Sequence, residues 1–458
     1  MKYAAYKEYK SSGSNWLDAV PSHWNVKSLK LIVKMPITDG PHETPEFIPD
    51  GVPFASVEAV WDGKVHLSSV RGYISEDDHR RYSKKYHPEP DDIFIVKSGS
   101  TTGKIAIVDF DDDFNVWSPL AAVRCDASQA CPEFVFYALS SSYFQRLVQV
   151  SWSFGTQPNI GMGVLGNLPA VLPPLLEQQA IARFLDAKTA QIDALVAQKR
   201  QLIAKLKEKR SALIARTVTR GLPPEAAKAA GLEPNPEMKD SGVDWLGAVP
   251  ARWKVLPLRR LIKFVKTGNT PSGAEDHHFE ESGFNWYSPS DFSEDIYLGL
   301  AHRALSAEGK TEIRVFPENT VMLVGIGATI GKVGLALGEC SCNQQINAIG
   351  CSFKLDPVFA TYYLKILRDF IVKCGKFTTL PIINQDETKN LVFTVPSLSE
   401  QSAIAAYLDR ETVEIDQLMV QVDEAISRLT EYRQALITSA VTGKIDVRAV
   451  ANREMEMA

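Results

Sequence analysis

The 458-residue sequence has no C-x-x-C pair, no apolar run approaching a membrane span and no excess of basic residues. Each absence excludes something. Its six cysteines (Cys125, Cys131, Cys340, Cys342, Cys351 and Cys374) have no histidine at zinc-ligand spacing. No metal site is expected, and reduced, mostly buried thiols are. Without about 20 consecutive apolar residues, no segment is expected to cross a bilayer. The opening MKYAAYKEYK lacks the apolar core of an export signal, which points to a cytoplasmic protein. The net charge of −5 argues against a chain that coats nucleic acid by charge alone, though a local basic patch is compatible with it. What is present is ordinary for a globular chain: 45% apolar and 23% charged residues, at a length that suggests two to four domains.

Two glycine-rich stretches stand out, KSGSTTGKIAIV (97–108) and GIGATIGKVGLA (325–336). A phosphate-binding loop needs G-x-x-x-x-G-K-[ST] between a strand and a helix, with the final hydroxyl reaching a magnesium ion. Here Gly99 and Gly103 enclose three residues, and Ile105 and Val333 stand where the hydroxyl belongs. Ile93–Val96 before the turn and Ile105–Val108 after it are β-type runs. The pattern predicts a hairpin whose glycines supply positive φ.

The larger signal is duplication. GSNWLDAVPSHWNVK from Gly13 matches GVDWLGAVPARWKVL from Gly242, with Trp16, Pro21 and Trp24 falling on Trp245, Pro250 and Trp253. Gly99, Thr101, Gly103 and Lys104 fall on Gly327, Thr329, Gly331 and Lys332, and PEFVFYAL at Pro132 falls on PVFATYYL at Pro357. Between residues 177–219 and 400–442, 21 of 43 positions are identical, whereas elsewhere identity shrinks to isolated anchors. Half of each copy has stayed alike and half has diverged.

The like halves predict two long helices. Leu408, Ile415, Val422, Leu429 and Leu436 recur every seven residues, with Ile404, Leu418, Ala425 and Tyr432 as the complementary column. The first copy has Leu185, Ile192, Leu206 and Leu213 with Ile181, Leu195 and Leu202, interrupted by Lys188, Lys199 and Lys209. Each segment would reach about 65 Å. A stripe that long must be covered, either by the other copy in an intramolecular antiparallel pair or by a second chain. Between the copies, RGLPPEAAKAAGLEPNPEMKDSG reads as a mostly extended linker with one helical turn at EAAKAA. The diverged halves read as α+β, each with one helix, at about 132–148 and 357–373.

Taken together, WLDAVPSHW and its twin WLGAVPARW, the loop ITDGPHETP (37–45), the paired G-x-T-x-G-K turns, and LPPLLEQQAIARFLD with VPSLSEQSAIAAYLD resemble the specificity subunit of type I restriction–modification systems. The resemblance covers nearly the whole chain. It implies an α+β protein with two target-recognition domains (1–174 and 242–396) separated by two long antiparallel coiled-coil helices (175–220 and 397–445). A linker (221–241) and a C-terminal tail (446–458) complete this pseudo-two-fold arrangement. Each domain would recognise one half of a split, asymmetric site in double-stranded DNA, with the helices as spacer. Implied partners are two methyltransferase subunits and, optionally, restriction or motor subunits. S-adenosylmethionine, ATP and Mg would belong to those partners, with no cofactor in this chain. No catalytic motif argues otherwise: the [DNS]-P-P-[YF] signature of an adenine methyltransferase is missing, and EPDDIFIVK has Ile95 where a nuclease would need a second carboxylate. A two-armed protein-binding scaffold is the alternative.

Thr101, Thr102, Lys104, Thr329 and Lys332 offer groups suited to phosphate, which position a protein on DNA without reading its sequence. The same residues also fit a structural hairpin with a solvated lysine. Base reading needs amide or guanidinium groups on loops. Gln157 and Asn159 in GTQPNI (155–160), and Asn384 and Gln385 in LPIINQDE (380–387), supply amides. Asp39, His42 and Glu43 in the first loop, with Asn269 and Ser272 in its counterpart, are further candidates. Trp152 could stack on a base or simply be buried. The basic run KRQLIAKLKEKR (199–210) fits spacer DNA, a solvated helix face or a partner surface.

Overall fold

A computed structural model describes residues 3–14, 16–154, 157–271, 276–374 and 381–449. Gly155, Thr156, Ser272 and Leu380, named in the candidate loops, lie outside the described residues. The chain divides into two compact units, residues 1–200 with 424–458, and residues 201–423. Neither follows the boundary between the two sequence copies, because each long helix gives its first half to one unit and its second half to the other.

In the first unit, a six-stranded sheet runs in the order Thr38–Asp39, Leu120–Val123, Ile93–Val96, Ile105–Ile107, Lys64–Val65, Val60–Trp61. Ile93, Phe94, Ile95 and Val96 are all buried, as a central strand covered on both faces must be. Phe94, Val96, Ala106, Leu120 and Ala122 pack with Tyr86 and Phe114 in one core. In the second unit the corresponding sheet runs Ile262–Thr267, Ile346–Cys351, Thr320–Val324, Val333–Ala336. Both glycine turns join antiparallel strands. Gly99, Gly103, Gly327 and Gly331 have φ of 97°, 94°, 102° and 81°, the conformation that any side chain would strain. These turns are hairpins.

The helix expected at about 132–148 is two helices, Pro132–Ser140 and Ser142–Val150, and that at about 357–373 is Pro357–Ile366 and Arg368–Cys374. Each diverged half also holds shorter helices not expected from the sequence, Glu76–Ser83 and Met162–Asn167 in the first and Ala307–Thr311 and Gln385–Asn390 in the second. Ser141 breaks the first pair. Its backbone is extended, and its hydroxyl accepts from the Phe144 N–H at 3.2 Å, capping a new helix. The linker holds its helical turn at Pro224–Ala229, but Met238–Asp240 is a strand paired with Ala248–Pro250.

The long helices span Leu175–Arg220 and Leu398–Val441. A buried glutamine fastens the start of each. Gln178 Oε1 accepts from Cys131 N at 2.8 Å, and its Nε2 donates to the carbonyls of Pro173 and Gln129 at 2.8 and 2.9 Å. Gln401 repeats this with Asp356 N at 2.8 Å and the carbonyls of Pro396 and Lys354, both at 3.1 Å. Two turns on, Tyr137 donates to Asp186 at 2.7 Å, and Tyr362 donates to Asp409 at 2.8 Å. Trp24 and Trp253 are fully buried. The anchors shared by the two copies are the groups that fix a helix to its globular partner.

Within each unit the helix halves run antiparallel. In the first, Asp193 pairs with Arg433 at 2.9 Å, while Glu177, earlier on its helix, meets Arg448, beyond the end of the other. In the second, Arg210 pairs with Asp416 at 3.0 Å, and the later Val218 shares a core with the earlier Ile404. Leu185, Ile192, Leu206, Leu408, Ile415, Val422 and Leu436 are buried, and Leu213 and Leu429 are half-buried, as the heptad column requires.

The complementary column differs from the sequence expectation. Ile181 and Ile404 are buried, but Leu195, Leu202, Leu418 and Tyr432 are 40%, 41%, 43% and 49% exposed. Its buried or half-buried members lie one residue later, at Thr189, Val196, Ile203, Arg210 and Thr217, and at Thr412, Met419, Ile426, Arg433 and Ala440. Hydropathy passes over this column because threonine and arginine stand in it. Thr412 donates to the Leu408 carbonyl at 2.7 Å and the arginines take the two ion pairs, whereas the Thr217 hydroxyl is buried without a partner.

The five described thiols are free, and burial pushes those of Cys125, Cys131 and Cys340 up to about 12, which leaves them protonated at neutral pH. Among the described residues, no helix is long and apolar enough to cross a membrane. The corrected seam makes a clear contrast. Leu408→Ala should cost about 2–5 kcal/mol in denaturant unfolding, whereas Leu418→Ala should stay within about 0.5 kcal/mol. Equal losses would restore the original column.

Candidate nucleic-acid interface

In both units the glycine hairpin, the strand preceding it and the loop before the long helix are laced by the same backbone bonds. Gly99 N donates to Pro158 O at 3.1 Å, Ile160 N to Lys97 O at 2.9 Å, and Lys97 N to Pro119 O at 2.8 Å. In the second unit Gly327 N donates to Pro381 O at 3.3 Å, Ile383 N to Gly325 O at 2.8 Å, and Gly325 N to Gln345 O at 2.7 Å. These bonds equate Lys97 with Gly325, and Pro119 with Gln345. Strand register likewise equates Asp39, opposite Ala121, with Thr267, opposite Asn347. One frame carries two sets of side chains.

In the first unit Asp39 is fully buried. Lys85 Nζ reaches its carboxylate at 2.6 Å, Lys97 Nζ at 3.2 Å and His42 Nε2 at 3.1 Å. Burial alone would raise this carboxyl, but the hydrogen bonds and charges of Lys85 and Lys97 outweigh it and hold it below the ordinary 3.8. Asp39 is therefore a buried counterion that aims two lysines, its Oδ1 accepting from Lys85 and its Oδ2 in ion-pair range of Lys97 and His42. His42, 70% exposed, lies on the same group, and the exposed Gln157 and Asn159 adjoin it through the bridge between Ser98 and Asn159. Nearby, Arg71 stacks over Trp117 with its guanidinium 4.7 Å from the ring centre. Glu43 instead pairs with Arg81 at 2.8 Å and accepts from Tyr82. Trp152 is half-buried, and its indole Nε1 is buried.

The second unit places amides where the first has charges. Gln385 Nε2 donates to Thr267 Oγ1 at 3.2 Å, replacing the lysine–aspartate contact. Thr270 donates to Gln344 at 2.9 Å, and Gln345 accepts from Asn343 at 3.0 Å. Two candidates are committed elsewhere. Asn269 uses both ends of its amide, donating to Glu312 O at 3.0 Å and accepting from Arg314 N at 2.9 Å. Asn384 caps the helix Gln385–Asn390 by accepting from the N–H groups of Asp386 and Glu387, both at 2.9 Å.

The turn residues form a different group. Thr101, Thr102 and Lys104 line a cleft of about 900 Å³ with Lys64, Arg200 and Arg433. Thr102 donates inward to Gly99 O at 2.7 Å, while Lys104 is exposed. The matching cavity of about 290 Å³ in the second unit is lined by Lys332, Arg210, Lys365 and Arg368. Lys332 Nζ donates to Phe292 O at 2.8 Å, and the Thr329 carbonyl accepts from Lys332 N at 3.2 Å, as the Thr101 carbonyl does from Lys104 N at 3.1 Å. Burial, and then the charge of Arg210, hold the Lys365 ammonium below the usual lysine range. In the basic run, Arg210 is buried against Asp416, while Arg200, Lys205, Lys207 and Lys209 are exposed.

Sequence reasoning missed Lys85, Gln344 and Gln345. The Asn343–Gln344–Gln345 run was an available signal, whereas nothing near Lys85 in sequence marks it as a partner of Asp39.

The family described as type I restriction modification DNA specificity domain matches residues 21–205 and 250–426, one match in each copy. The chain belongs to this family. It is accordingly a DNA sequence-recognition subunit of a type I restriction–modification system, a targeting component without catalysis of its own. Among curated relatives, the type I restriction enzyme MjaX specificity subunit of Methanocaldococcus jannaschii is 22% identical over 94% of this chain and 95% of its own length. The EcoBI specificity subunit of Escherichia coli is 23% identical over 74% and 73%. A chain solved for the structural basis of complex assembly and conformational transition of the type I R-M system superposes with a TM-score of 0.67. It is 18% identical and covers 93% of this chain and 99% of that one. The HsdS subunit from Thermoanaerobacter tengcongensis gives 0.52 at 18% identity over 93% and 98%. Both likenesses bear on the fold.

Two outcomes follow for these residues. Gln344→Ala and Gln157→Ala should each relax preference at a base position, by about 1–3 kcal/mol in competition binding, while Asn384→Ala should leave preference intact and lose about 0.5–2 kcal/mol of stability. Asp39→Asn should be less stable than the parent at pH 7. Because the folded carboxyl is depressed, its contribution is complete above the unfolded value and is lost as pH falls through the folded one. Melting curves of parent and variant should therefore converge below the ordinary 3.8.

Proposed function

We propose that the protein recognises a bipartite, asymmetric site in double-stranded DNA, with residues 1–174 and 242–396 each reading one half. The observation that carries this is the common frame with unlike side chains. The Asp39–Lys85–Lys97 group stands in one unit, and Thr267, Gln344, Gln345 and Gln385 stand at the corresponding place in the other. Equivalent backbones approach DNA in equivalent ways, and different side chains there select different bases. The long helices Leu175–Arg220 and Leu398–Val441 act as the spacer between the halves.

Two methyltransferase subunits complete the complex, with restriction subunits as optional partners. S-adenosylmethionine, ATP and magnesium enter with those subunits and not with this chain, and the assembly works in the cytoplasm. Names of relatives such as the EcoBI specificity subunit support this reading. A degenerate protein-binding scaffold would have no need for the differing amide and lysine groups.

The test is to co-purify the chain with its cognate methyltransferase and map methylated adenines. A single split sequence is expected. Replacing residues 242–396 by the same domain of another family member should change one half of that sequence and leave the other intact. Methylation at sites without a common split sequence, or a change in both halves, would overturn the proposal.

A further inference from the structure

Outside the loops assigned to DNA, the first unit brings together two histidines and a carboxylate. His79 lies on the helix Glu76–Ser83, His87 in the segment that follows it, and Asp113 in the exposed acidic turn Asp111–Asp112–Asp113. One potential ligand atom from each lies within 4.8 Å of the others. We propose that His79, His87 and Asp113 bind one zinc-like divalent transition-metal ion.

His79 has the supporting hydrogen bond that a metal-binding imidazole uses. Asn115 is buried, with 1% exposure, and its Oδ1 lies 2.7 Å from His79 Nδ1. An amide oxygen can only accept, so Nδ1 carries the proton and Nε2 keeps a free lone pair. Asn115 is itself oriented by donating from Nδ2 to Ser83 Oγ at 3.1 Å. A ligand histidine held by its other nitrogen, with that partner fixed in turn, is the usual support of a metal-binding imidazole.

The second pair has the right spacing for one ion. His87 Nε2 and Asp113 Oδ1 are 3.5 Å apart, long for a direct hydrogen bond. Two ligands at 2.0–2.2 Å from a tetrahedral ion stand about 3.4 Å apart. The His87 backbone is held by Arg124, which donates to its carbonyl at 2.8 Å. His87 Nδ1 is buried without a hydrogen-bond partner, so this imidazole, unlike that of His79, is aimed by its backbone and packing alone. Two nitrogens and one carboxylate favour zinc over calcium or magnesium, which prefer all-oxygen shells. The three ligands leave a fourth position for water. The bound ion would tie the helix, the His87 segment and the acidic turn together, and it would partly neutralise Asp111–Asp113.

The experiment uses the full chain without a histidine tag, stripped with chelator and dialysed. Zn²⁺ is titrated by calorimetry, and Co²⁺ by its visible absorption. One equivalent should bind, with a tetrahedral cobalt spectrum. His79→Gln and His87→Gln should abolish the transition, and Asp113→Asn should weaken it at least about tenfold. Asp113 is exposed, so its variant reports on binding even if a histidine variant fails to fold. No stoichiometric binding by the parent chain, or unchanged binding in Asp113→Asn together with either folded histidine variant, would overturn the site.

Discussion

The structure depends on one buried amide in each copy. Gln178 and Gln401 each satisfy three backbone groups where a helix of more than 40 residues leaves its globular domain. A buried amide with all these bonds made is stabilising and directional, whereas the same group with bonds missing costs more than an apolar side chain. The glutamine therefore sets both the position and the rotation of its helix. Tyr137 and Tyr362 then fix a point two turns further along. The duplicated sequence is most alike in the helices because these contacts admit little change.

With the frame held this way, recognition chemistry can vary without disturbing the fold. The same backbone bonds support Lys97 in one unit and Gly325 in the other, and Pro119 in one where the other has Gln345. A charged group with a buried counterion and a cluster of neutral amides are two solutions on one scaffold. The first should be more sensitive to salt, since it works through ammonium groups. The second depends on hydrogen-bond geometry.

The sequence made the duplication, the long helices and the hairpins legible, because identity over long stretches and glycines flanked by β-branched runs are direct signals. It did not reveal which column completes the seam. Thr189, Arg210, Thr412 and Arg433 are buried or half-buried but polar, and Leu195, Leu202 and Leu418 are apolar but exposed, so periodicity of hydropathy selected the wrong neighbours. The candidate site was only partly legible. The candidate loops of each copy lie together on one frame, but the role of each polar residue in them depends on partners distant in sequence. Asp39 is committed by Lys85, and Asn269 by Arg314 and Glu312. Asn384 is committed by its own helix, which it caps within the run NQDE.

The division of each long helix between units has a consequence for biosynthesis. The unit of residues 201–423 is one uninterrupted stretch, whereas the unit that begins the chain needs residues 424–449 to cover its half of the first helix. A ribosome extends the chain in one direction, so residues 1–200 are made well before the segment that completes their unit. Until that segment emerges, the apolar surface at Ile192 and Val196, which lies beside Thr430, Arg433 and Ile437 in the folded unit, is open to chaperones or to a second copy of the chain.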